Sequence, residues 1–423
     1  MTKIAFIDLV FRWPPTGGSS VDIKNIIERL KNKGFDVKLF VPLFTNYYPR
    51  GVISEELPFP VVKIPFNRFS FNFSTAARRI VKAVEEYRPD YVFFGDGYYL
   101  KPHIVSSLSK KFPVIWRFYA YEILCIMYRL YCTDENLCEN NLLLDREKCL
   151  RCQFPESEIY KETAKIILNY NMGDSDFHHR HEFLFSLAFK KSYPELVKNA
   201  LRSSKTVIVY NDFIKGLISG FNNDIRVTLS GVDTKSFIPE RQGKKDSDKI
   251  TIFAPGRMVD LVKGFPFFET AVKLLSIKRD DFKVLLTSND SFAKFHGIRL
   301  RNDNFVLSGW LGQNSITKLY SQSDICVVPS VWQEPFGIMA IESMASGLPV
   351  IATRVGGLQN IVDDGITGYV IQPWNTTELM NRLEILMDNR ELRLKMGNAG
   401  REKAEKEYDW DRIIEKNYLP LFI

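Results

Sequence analysis

Two glutamates stand eight residues apart in the segment EPFGIMAIE, which begins at Glu334 and ends at Glu342. A predicted helix begins between them, at Phe336 or Gly337, so that Glu342 lies well inside it. Carboxylates accept several hydrogen bonds and donate none, so they suit the diols of sugars. Eight helical residues rise about 12 Å, similar to the length of a hexose, a diphosphate and a ribose in series. The alternative is that both are solvated charges near a helix end, where Glu334 complements the dipole.

The start of this helix also predicts an anion site. The N–H groups of a first helical turn lack partners within the helix and, with the helix dipole, attract phosphate. Here they belong to Phe336, Gly337, Ile338 and Met339. The apolar run before them, ICVVPS, predicts a strand that ends at Ser330. Because ligands of open α/β sheets bind at the carboxyl ends of the strands, this loop is where a phosphate is expected.

A second loop carries two cations. In IFAPGRMVDLVKGF, a strand pattern leads into Arg257 and Lys263, with glycines at positions 256 and 264. Two cations, and glycines that allow close approach, suit a diphosphate leaving group when they follow a neighbouring strand. The alternative is a pair of ordinary exposed basic residues, since the chain has a net charge of +7. The diphosphate interpretation is favoured because this loop and the loop that carries Glu334 follow strands of the same predicted sheet.

The elements that must position these loops alternate between strand and helix. Strand-like runs include KIAFIDLV, DVKLFV, YVFFG, PVIWRF and TVIVY in the first half, and KITIFA, FKVLLT, ICVVPS, PVIAT and GYVIQP in the second. Such alternation predicts an α/β protein with two Rossmann-like, doubly wound parallel-sheet domains facing a central cleft. Between the strands, NTTELMNRLEILM predicts a helix with Asn375 and Glu378 as its capping box.

The predicted domain boundaries follow from shifts in composition. Residues 1–237 form a first domain, interrupted at about 120–200 by a Cys-rich helical insertion. A polar, charged stretch at 238–249 is the predicted linker, and residues 238–405 form a second domain. Residues 406–423 are predicted to be a C-terminal helix.

Bulk composition favours a soluble globular class. The chain has 423 residues, of which 45% are hydrophobic and 25% charged, which are ordinary values for such proteins. It shows no N-terminal signal pattern, and its most apolar stretch, PVIWRFYAYEILCIMYRLY, is interrupted by charged residues. We therefore expect a cytoplasmic protein. Its positive charge suits anionic ligands or the anionic inner face of a membrane.

Together these motifs closely resemble the retaining nucleotide-sugar glycosyltransferases of family 4, which have the GT-B fold. The resemblance is carried by WPPTGG, SGVDTKSF, GRMVDLVKG and VVPSVWQEPFGIMAIESMASGLPVIATRVGG. It runs through nearly the whole chain. It implies that the first domain lies on the acceptor side, that residues 238–405 bind the nucleotide sugar, and that the C-terminal helix, residues 406–423, returns to the first domain. Its most specific part is the E-x7-E motif in combination with the upstream arginine and lysine.

The resemblance implies a role for each matching residue. Arg257 and Lys263 are expected to hold the donor diphosphate and to stabilise charge on the departing nucleotide. Glu334 is expected to contact the transferred sugar near the reacting carbon, and Glu342 the ribose. Tyr119 occupies the place where family members often carry a histidine, which makes it a further candidate. The other expected donor-binding residues are Gly17, Gly18, Gly256, Gly309, Trp310, Phe336, Gly337 and Ile338.

The implied activity is transfer of a hexose from a UDP or GDP sugar to a glycan or lipid-linked acceptor. Transfer is expected to retain the anomeric configuration and to serve polysaccharide or surface-glycan biosynthesis. No cofactor is expected for catalysis, because Arg, Lys and the helix dipole replace a divalent metal in such enzymes. Two other functions stay open. One is a nucleotide-sugar epimerase of GT-B-like fold, and the other is a non-catalytic subunit that binds sugar nucleotides.

Five of the six cysteines fall between positions 125 and 152. Cys132, Cys138, Cys149 and Cys152 include a CxxC pair and a plausible second pair for a structural zinc site. Some members of the resembled family have similarly spaced cysteines with Cys125 in place of Cys132, so the fourth ligand stays open. The alternative is a group of reduced, partly buried thiols.

Aromatic and basic segments raise the question of a membrane partner. They are NYYPRGVISEELPFP and NRFSFNFS in the first domain and FLFSLAFKK in the insertion. One interpretation is peripheral docking on a membrane that carries a lipid-linked acceptor. The other is packing of these segments onto their own domain. No nucleic-acid partner is expected, since the sequence carries no nucleic-acid motif.

Overall fold

The alternating strand and helix patterns form two doubly wound parallel sheets in the computed structural model of the protein. This confirms the predicted α/β class with two Rossmann-like sheets. The structure describes residues 1–15, 17–44, 51–121, 123–126, 138–153, 181–239, 249–258, 260–287, 304–309 and 313–422. Residues 240–248, most of the predicted linker, lie outside these ranges.

The chain forms two compact units, each described here by itself. The first comprises Met1–Thr228 together with Ile414–Ile423, and the second comprises Leu229–Ile413. The first unit therefore contains the last ten residues of the chain as well as its N-terminal half.

The first unit is built on a sheet of parallel strands in the order β3-β2-β1-β4-β5-β6-β7. The strands are β1 (Lys3–Ile7), β2 (Asp36–Phe44), β3 (Val61–Phe66), β4 (Tyr91–Phe94), β5 (Val114–Arg117), β6 (Thr206–Val209) and β7 (Ile225–Val227). Its described helices are α1 (Gly18–Asn32), α2 (Phe73–Tyr87), α3 (Lys101–Leu108), α4 (Arg146–Gln153), α5 (Tyr193–Ser203) and α6 (Asp212–Ile218). Central strands such as β5 are buried at every residue, as expected where helices cover both faces.

A buried carboxylate ties two loops together where the strand order of the first sheet reverses, between β1 and β4. Asp8 follows β1, and its Oδ1 accepts a hydrogen bond from the Val10 N–H at 2.8 Å. Its Oδ2 accepts one from the Asp96 N–H, after β4, at 3.0 Å. Burial is the main cause that raises the pKa of Asp8 to about 7, and the negative charge of Asp96 adds to the rise. Asp8 is therefore a structural element of this edge of the sheet.

The second unit has the strand order β10-β9-β8-β11-β12-β13, also parallel in each described pairing. The strands are β8 (Ile250–Ala254), β9 (Phe282–Leu286), β10 (Phe305–Leu307), β11 (Ile325–Val328), β12 (Val350–Thr353) and β13 (Gly368–Ile371). Its described helices are α7 (Phe265–Lys278), α8 (Gln313–Ser321), α9 (Ile338–Ala345), α10 (Leu358–Ile361), α11 (Thr376–Asp388), α12 (Arg390–Lys403) and α13 (Trp410–Ile413). The order reverses between β8 and β11, which is where open α/β sheets bind ligands.

Local sequence signals explain much of the second unit. The predicted cap of α11 is confirmed, because the Asn375 Oδ1 accepts a hydrogen bond from the Glu378 N–H at 3.1 Å. Phe265, Phe268, Val272 and Leu275 are buried, so one face of α7 packs into the core. Within the described part of the chain, no helix has both the length and the apolar character needed to cross a bilayer.

Candidate functional site

Three loops meet at the reversal point of the second sheet, after β8, β11 and β12. Glycines allow this approach. A Cβ atom at Gly264 would lie 1.9 Å from the Pro329 carbonyl oxygen, and one at Gly356 would lie 2.1 Å from the Glu334 carbonyl oxygen. That same Glu334 oxygen accepts a hydrogen bond from the Gly357 N–H at 2.7 Å. The backbone around Glu334 is therefore fixed from both neighbouring loops.

The carboxylate of Glu334 is the most heavily bonded acidic group of this site. Lys263 Nζ lies 3.1 Å from its Oε1 and 2.8 Å from its Oε2. Oε2 also accepts hydrogen bonds from the Ser330 hydroxyl at 2.9 Å and from the Trp332 indole N–H at 2.8 Å. Both members of the ion pair are largely buried. The structure thus brings together Glu334 and Lys263, two of the predicted site residues.

The ion pair keeps Glu334 ionised. Burial by itself raises the pKa of a carboxyl group. The charge of Lys263, together with hydrogen bonds from Lys263, Trp332 and Ser330, outweighs that effect and holds the pKa of Glu334 below its ordinary value. At neutral pH the site therefore presents a fixed carboxylate whose charge is balanced by one ammonium group.

The helix after Glu334 begins later than the sequence predicts. Helix α9 starts at Ile338, and Gly337 before it has a φ angle of 118°, which a helix cannot accommodate. A Cβ there would lie 2.5 Å from the Leu358 Cδ2, so the glycine also allows close packing. Only the part of the segment from Ile338 to Glu342 is helical, so the length of eight helical residues does not measure the distance between the two glutamates.

The loop after β8 lies against the first turn of α9. A Cβ atom at Gly256 would lie 2.6 Å from the Met339 sulfur, and Gly256 has a φ angle of 103°. The Gly256 N–H donates to the Thr287 Oγ1 at 2.8 Å, which anchors the loop to the end of β9. Arg257 is 54% exposed, with its Nη2 4.0 Å from the Asp260 carboxylate. Its guanidinium is thus available to an anionic ligand on the same edge of the sheet as Glu334.

Glu342 lies inside α9 and has a buried partner. The Tyr320 hydroxyl donates a hydrogen bond to the Glu342 Oε2 at 2.8 Å. Burial raises the pKa of Glu342 to about 7, although the bond from Tyr320 opposes the rise. Unlike Glu334, this carboxyl group changes its charge near neutral pH.

This titration gives a prediction for nucleotide binding. The affinity for a nucleoside diphosphate should fall about tenfold between about pH 8 and pH 6, because protonation below a pKa near 7 removes an acceptor for the ribose hydroxyls. In Tyr320→Phe the Glu342 carboxylate loses its hydrogen-bond donor, so the midpoint of the change in nucleotide affinity should move to higher pH. Isothermal titration calorimetry with UDP and GDP across this range checks both. Glu342→Gln is the control. If it keeps the wild-type pH profile, Glu342 is not the titrating group.

The other predicted site residues lie elsewhere. Gly309 follows β10 with a φ angle of 74° and open space around its Cα, and Trp310 lies outside the described residues. Gly17 and Gly18 belong to the first unit, where they begin α1 and are exposed. Tyr119, also in that unit, is buried, with the Arg117 guanidinium 5.4 Å from its ring centre.

The cysteine group is only partly described. Burial raises the pKa of the Cys149 thiol to about 12, and Cys125, Cys138 and Cys152 add to the rise. The Cys138 thiol donates to the Asn140 carbonyl oxygen at 3.5 Å. Asn140 Nδ2 donates to the Cys149 sulfur at 3.1 Å. Among the described side chains, no three of the His, Cys, Asp or Glu type are arranged to ligate a metal ion. Cys132 lies outside the described residues.

Several partners of the two glutamates were not predicted from the sequence. Ser330 and Trp332 precede Glu334 by four and two residues, so the loop composition offered a local signal for them. Gln333 accepts the Gly356 N–H at 2.6 Å and joins two loops. Tyr320 lies 22 residues before Glu342, and no pattern in the sequence links the two.

Comparison with known sequences agrees with this arrangement. Residues 235–403 match the profile of the family described as glycosyl transferases group 1. The chain is similar to the sulfoquinovosyl transferase SQD2 of Arabidopsis thaliana, with 28% identity over 200 residues that cover 46% of this chain and 39% of that protein. Its matches to the first curated relatives span about a third to a half of their length.

Solved structures share the fold along the whole chain. The sucrose-phosphate synthase of Thermosynechococcus elongatus has a TM-score of 0.69 at 19% identity, covering 100% of this chain and 99% of its own. Anabaena HepE, solved in complex with UDP and glucose, has a TM-score of 0.66 at 15% identity with the same coverage. These identities show the fold, and the sequence match covers the unit that holds the Lys263–Glu334 pair. The chain therefore has the GT-B fold, and its residues 235–403 match the profile of the glycosyl transferases group 1.

Proposed function

We propose that this protein transfers a hexose from a nucleoside diphosphate sugar to a hydroxyl group of a glycan or lipid-linked acceptor. The observation that carries the proposal is the buried Lys263–Glu334 pair at the reversal point of a parallel sheet. Glu334 lies in the loop that leads into α9, whose first turn offers N–H groups to phosphate. One edge of the sheet thus offers an acceptor for sugar hydroxyls and donors for a diphosphate.

In the proposed reaction the bond between the anomeric carbon and the diphosphate oxygen breaks, and its electron pair leaves with the nucleotide. Arg257 and the first turn of α9 stabilise the negative charge that develops on the diphosphate. The ionised Glu334 binds the sugar and stabilises positive charge at the anomeric carbon. The acceptor oxygen forms the new bond on the same face, and its proton passes to the departing phosphate oxygen. Retention rests on resemblance to family 4.

Lys263 has two tasks in this scheme. It keeps Glu334 ionised through the contact at 2.8 Å, and in this proposal its positive charge also attracts the diphosphate of the donor. These cations supply the charge that a divalent metal supplies in other transferases, so we propose catalysis without a metal. We propose that contacts with the loop around Gly309 help to select the base of the donor, uracil in UDP or guanine in GDP.

A panel of labelled UDP and GDP sugars tests the proposal. We expect slow hydrolysis of one donor and faster transfer to sugar or lipid-linked acceptors, with the anomeric configuration of the product determined by NMR. An epimerase would instead convert the sugar while it stays attached to the nucleotide. A non-catalytic subunit would bind a donor and leave it intact. If none of the donors is bound or consumed, the transferase proposal fails.

The cysteine group is proposed to hold a structural zinc, with Cys138, Cys149, Cys152 and either Cys125 or Cys132 as ligands. Support comes from the CxxC pair and from Asn140, whose carbonyl oxygen lies 3.5 Å from the Cys138 sulfur and whose Nδ2 lies 3.1 Å from the Cys149 sulfur. The described thiols are not arranged around an ion, so zinc binding requires them to move closer together. Metal analysis of the purified chain should find zinc at about one ion per chain and should lose it in Cys149→Ser. A metal-free protein of unchanged stability would contradict this.

The acceptor is proposed to belong to polysaccharide or surface-glycan biosynthesis, with the protein acting in the cytoplasm at the inner face of a membrane. Support comes from the aromatic and basic segments of the first unit. Transfer assays with lipid-linked and free oligosaccharide acceptors, at equal concentration, separate the two acceptor classes.

A further inference from the structure

The two oxygens of the buried Glu334 carboxylate have different surroundings. Oε2 accepts three hydrogen bonds, from Lys263 Nζ at 2.8 Å, the Ser330 hydroxyl at 2.9 Å and the Trp332 indole N–H at 2.8 Å. Oε1 accepts one from Lys263 at 3.1 Å, and no other group among the described residues donates to it. A carboxylate oxygen has about two lone-pair sites. Oε2 is therefore fully occupied, whereas Oε1 has room for a further donor.

Trp332 contacts both members of the buried ion pair. Its indole N–H donates to Glu334, and its ring faces the Lys263 ammonium group, with Nζ 5.2 Å from the ring centre. The electron-rich face of an indole ring attracts a cation at this distance. An indole is also rigid and has few rotamers. One half-buried side chain thus restrains the carboxylate and the ammonium group together.

The backbone of the same loop is held by other bonds. The Val331 N–H donates to the Val262 carbonyl oxygen at 2.9 Å, and the Gln333 Oε1 accepts the Gly356 N–H at 2.6 Å. These bonds fix the point from which the Glu334 side chain extends, but they do not fix its side-chain torsions. The direction of the carboxylate therefore depends on the donors around Oε2.

We propose that Trp332 is a positioning residue for the transfer reaction, whose indole N–H holds Oε2 of Glu334 and so directs Oε1 toward the sugar of the donor. The inference rests on the proposed function for the role of Glu334, and it adds the residue that orients this carboxylate. Trp332 acts through Glu334 and needs no contact with the substrate. Orientation matters because a displacement of about 1 Å at a reacting centre costs on the order of a hundredfold in rate.

Trp332→Phe keeps an aromatic ring beside Lys263 and removes the indole N–H. We expect the turnover number to fall between about tenfold and about a hundredfold, with the affinity for the nucleoside diphosphate changed by less than about twofold. The acid limb of kcat/KM should move up by about one pH unit, because the ionised Glu334 loses a hydrogen bond while Lys263 remains its counter-ion. Steady-state kinetics across pH and calorimetry with UDP and GDP measure these changes.

The double variant Trp332→Phe/Glu334→Gln tests whether Trp332 acts through Glu334. Its turnover number should lie within about twofold of that of Glu334→Gln alone. The reason is that the orientation of the side chain matters little once its charge is gone. A further fall of about tenfold would give Trp332 an effect separate from Glu334 and would overturn the proposal.

Trp374→Phe is the matched control, because it makes the same exchange at another half-buried tryptophan of the second unit. Trp374 lies in the turn before α11, and its ring packs on Phe267 with the ring centres 6.3 Å apart. Its turnover number should stay within about twofold of the wild-type value. If Trp374→Phe slows transfer as much as Trp332→Phe, the loss comes from general loosening of the unit and the proposal is wrong.

NMR of the ¹⁵N-tryptophan-labelled protein tests the contact without donor or acceptor. The chain has six tryptophans, and the indole signal that is missing from Trp332→Phe belongs to Trp332. This signal should shift in Glu334→Gln, since hydrogen bonds to a carboxylate are shorter and stronger than those to a neutral amide. A signal that does not move overturns the proposal, whatever the transfer assays show. If it moves while the wild type consumes no donor, the proposed transfer function is wrong and the bond between Trp332 and Glu334 still stands.

Discussion

Glu334→Gln should lower the turnover number about 10²–10³-fold, with the affinity for the nucleoside diphosphate changed by less than about threefold. The amide has nearly the same shape, but it lacks the charge that stabilises the anomeric carbon in the transition state. Steady-state transfer rates and calorimetric nucleotide affinities check the two parts separately. The prediction rests on the position of Glu334 before α9, where it is bonded to Lys263, Ser330 and Trp332.

Glu342→Gln is the matched variant, since it makes the same chemical change on the same segment. We expect the opposite pattern, a loss of nucleotide affinity of about tenfold with a smaller effect on turnover at saturating donor. The different roles follow from the different surroundings, because Glu342 accepts a hydrogen bond from the Tyr320 hydroxyl, whereas Glu334 is paired with the Lys263 ammonium group. If both variants reduce nucleotide affinity equally, the assignment of sugar to Glu334 and ribose to Glu342 is wrong.

Lys263→Met should lower the free energy of unfolding by about 3 kcal/mol at neutral pH, because it leaves the buried Glu334 carboxylate without its counter-ion. The double variant Lys263→Met/Glu334→Gln should regain most of that loss, since no uncompensated charge then remains buried. Urea unfolding followed by circular dichroism measures the midpoints. Transfer activity should stay low in both, which separates the stability of the site from its chemistry.

The same pair predicts a pH dependence with a definite sign. In the wild type the pKa of Glu334 is lowered, so its stabilising contribution is present above the unfolded value and is lost as pH falls through the folded pKa. In Lys263→Met only the hydrogen bonds from Ser330 and Trp332 still oppose the effect of burial, so the folded pKa of Glu334 should rise above the unfolded value. Glu334 then binds its proton more tightly in the folded state than in the unfolded state. The loss in free energy of unfolding, relative to the wild type, should therefore shrink as pH falls from about 8 to about 5.

An ion pair whose lysine is exposed is the control for this stability effect. Lys273 Nζ lies 2.7 Å from the Glu269 carboxylate, and the two side chains are 61% and 18% exposed. Lys273→Met should change the free energy of unfolding by less than about 0.5 kcal/mol, because water screens such pairs. If Lys263→Met loses no more free energy of unfolding than Lys273→Met, then removing Lys263 does not leave Glu334 as a buried charge without a partner, and the prediction is wrong.

Local pattern predicted the central strands and one edge strand, β13, but missed the other three edge strands. Strands β5, β8 and β12, within the sheets, have apolar runs that are buried almost throughout. The strands that were not predicted, β3, β7 and β10, are all edge strands and are only partly buried. An edge strand is covered less completely, so its sequence need not form a continuous apolar run.

The sequence by itself determined the doubly wound fold, the loops that carry Arg257, Lys263 and Glu334, and the cap at Asn375. These depend on residues close together in the chain, where periodicity, capping and turn chemistry act. It placed the start of α9 too early, because the close packing of Gly337 against Leu358 is a tertiary contact.

Only the tertiary structure decided which side chains meet. Lys263 and Glu334 are 71 residues apart, and Tyr320 and Glu342 are 22 apart, yet each pair is in direct hydrogen-bond contact. Parallel strands all end at the same edge of a sheet, so loops that are distant in the chain become neighbours there. The partners then set the two protonation states. The Glu334 carboxylate stays charged beside an ammonium group, whereas burial raises the pKa of Glu342 to about 7, because the hydrogen bond from Tyr320 opposes the rise only in part.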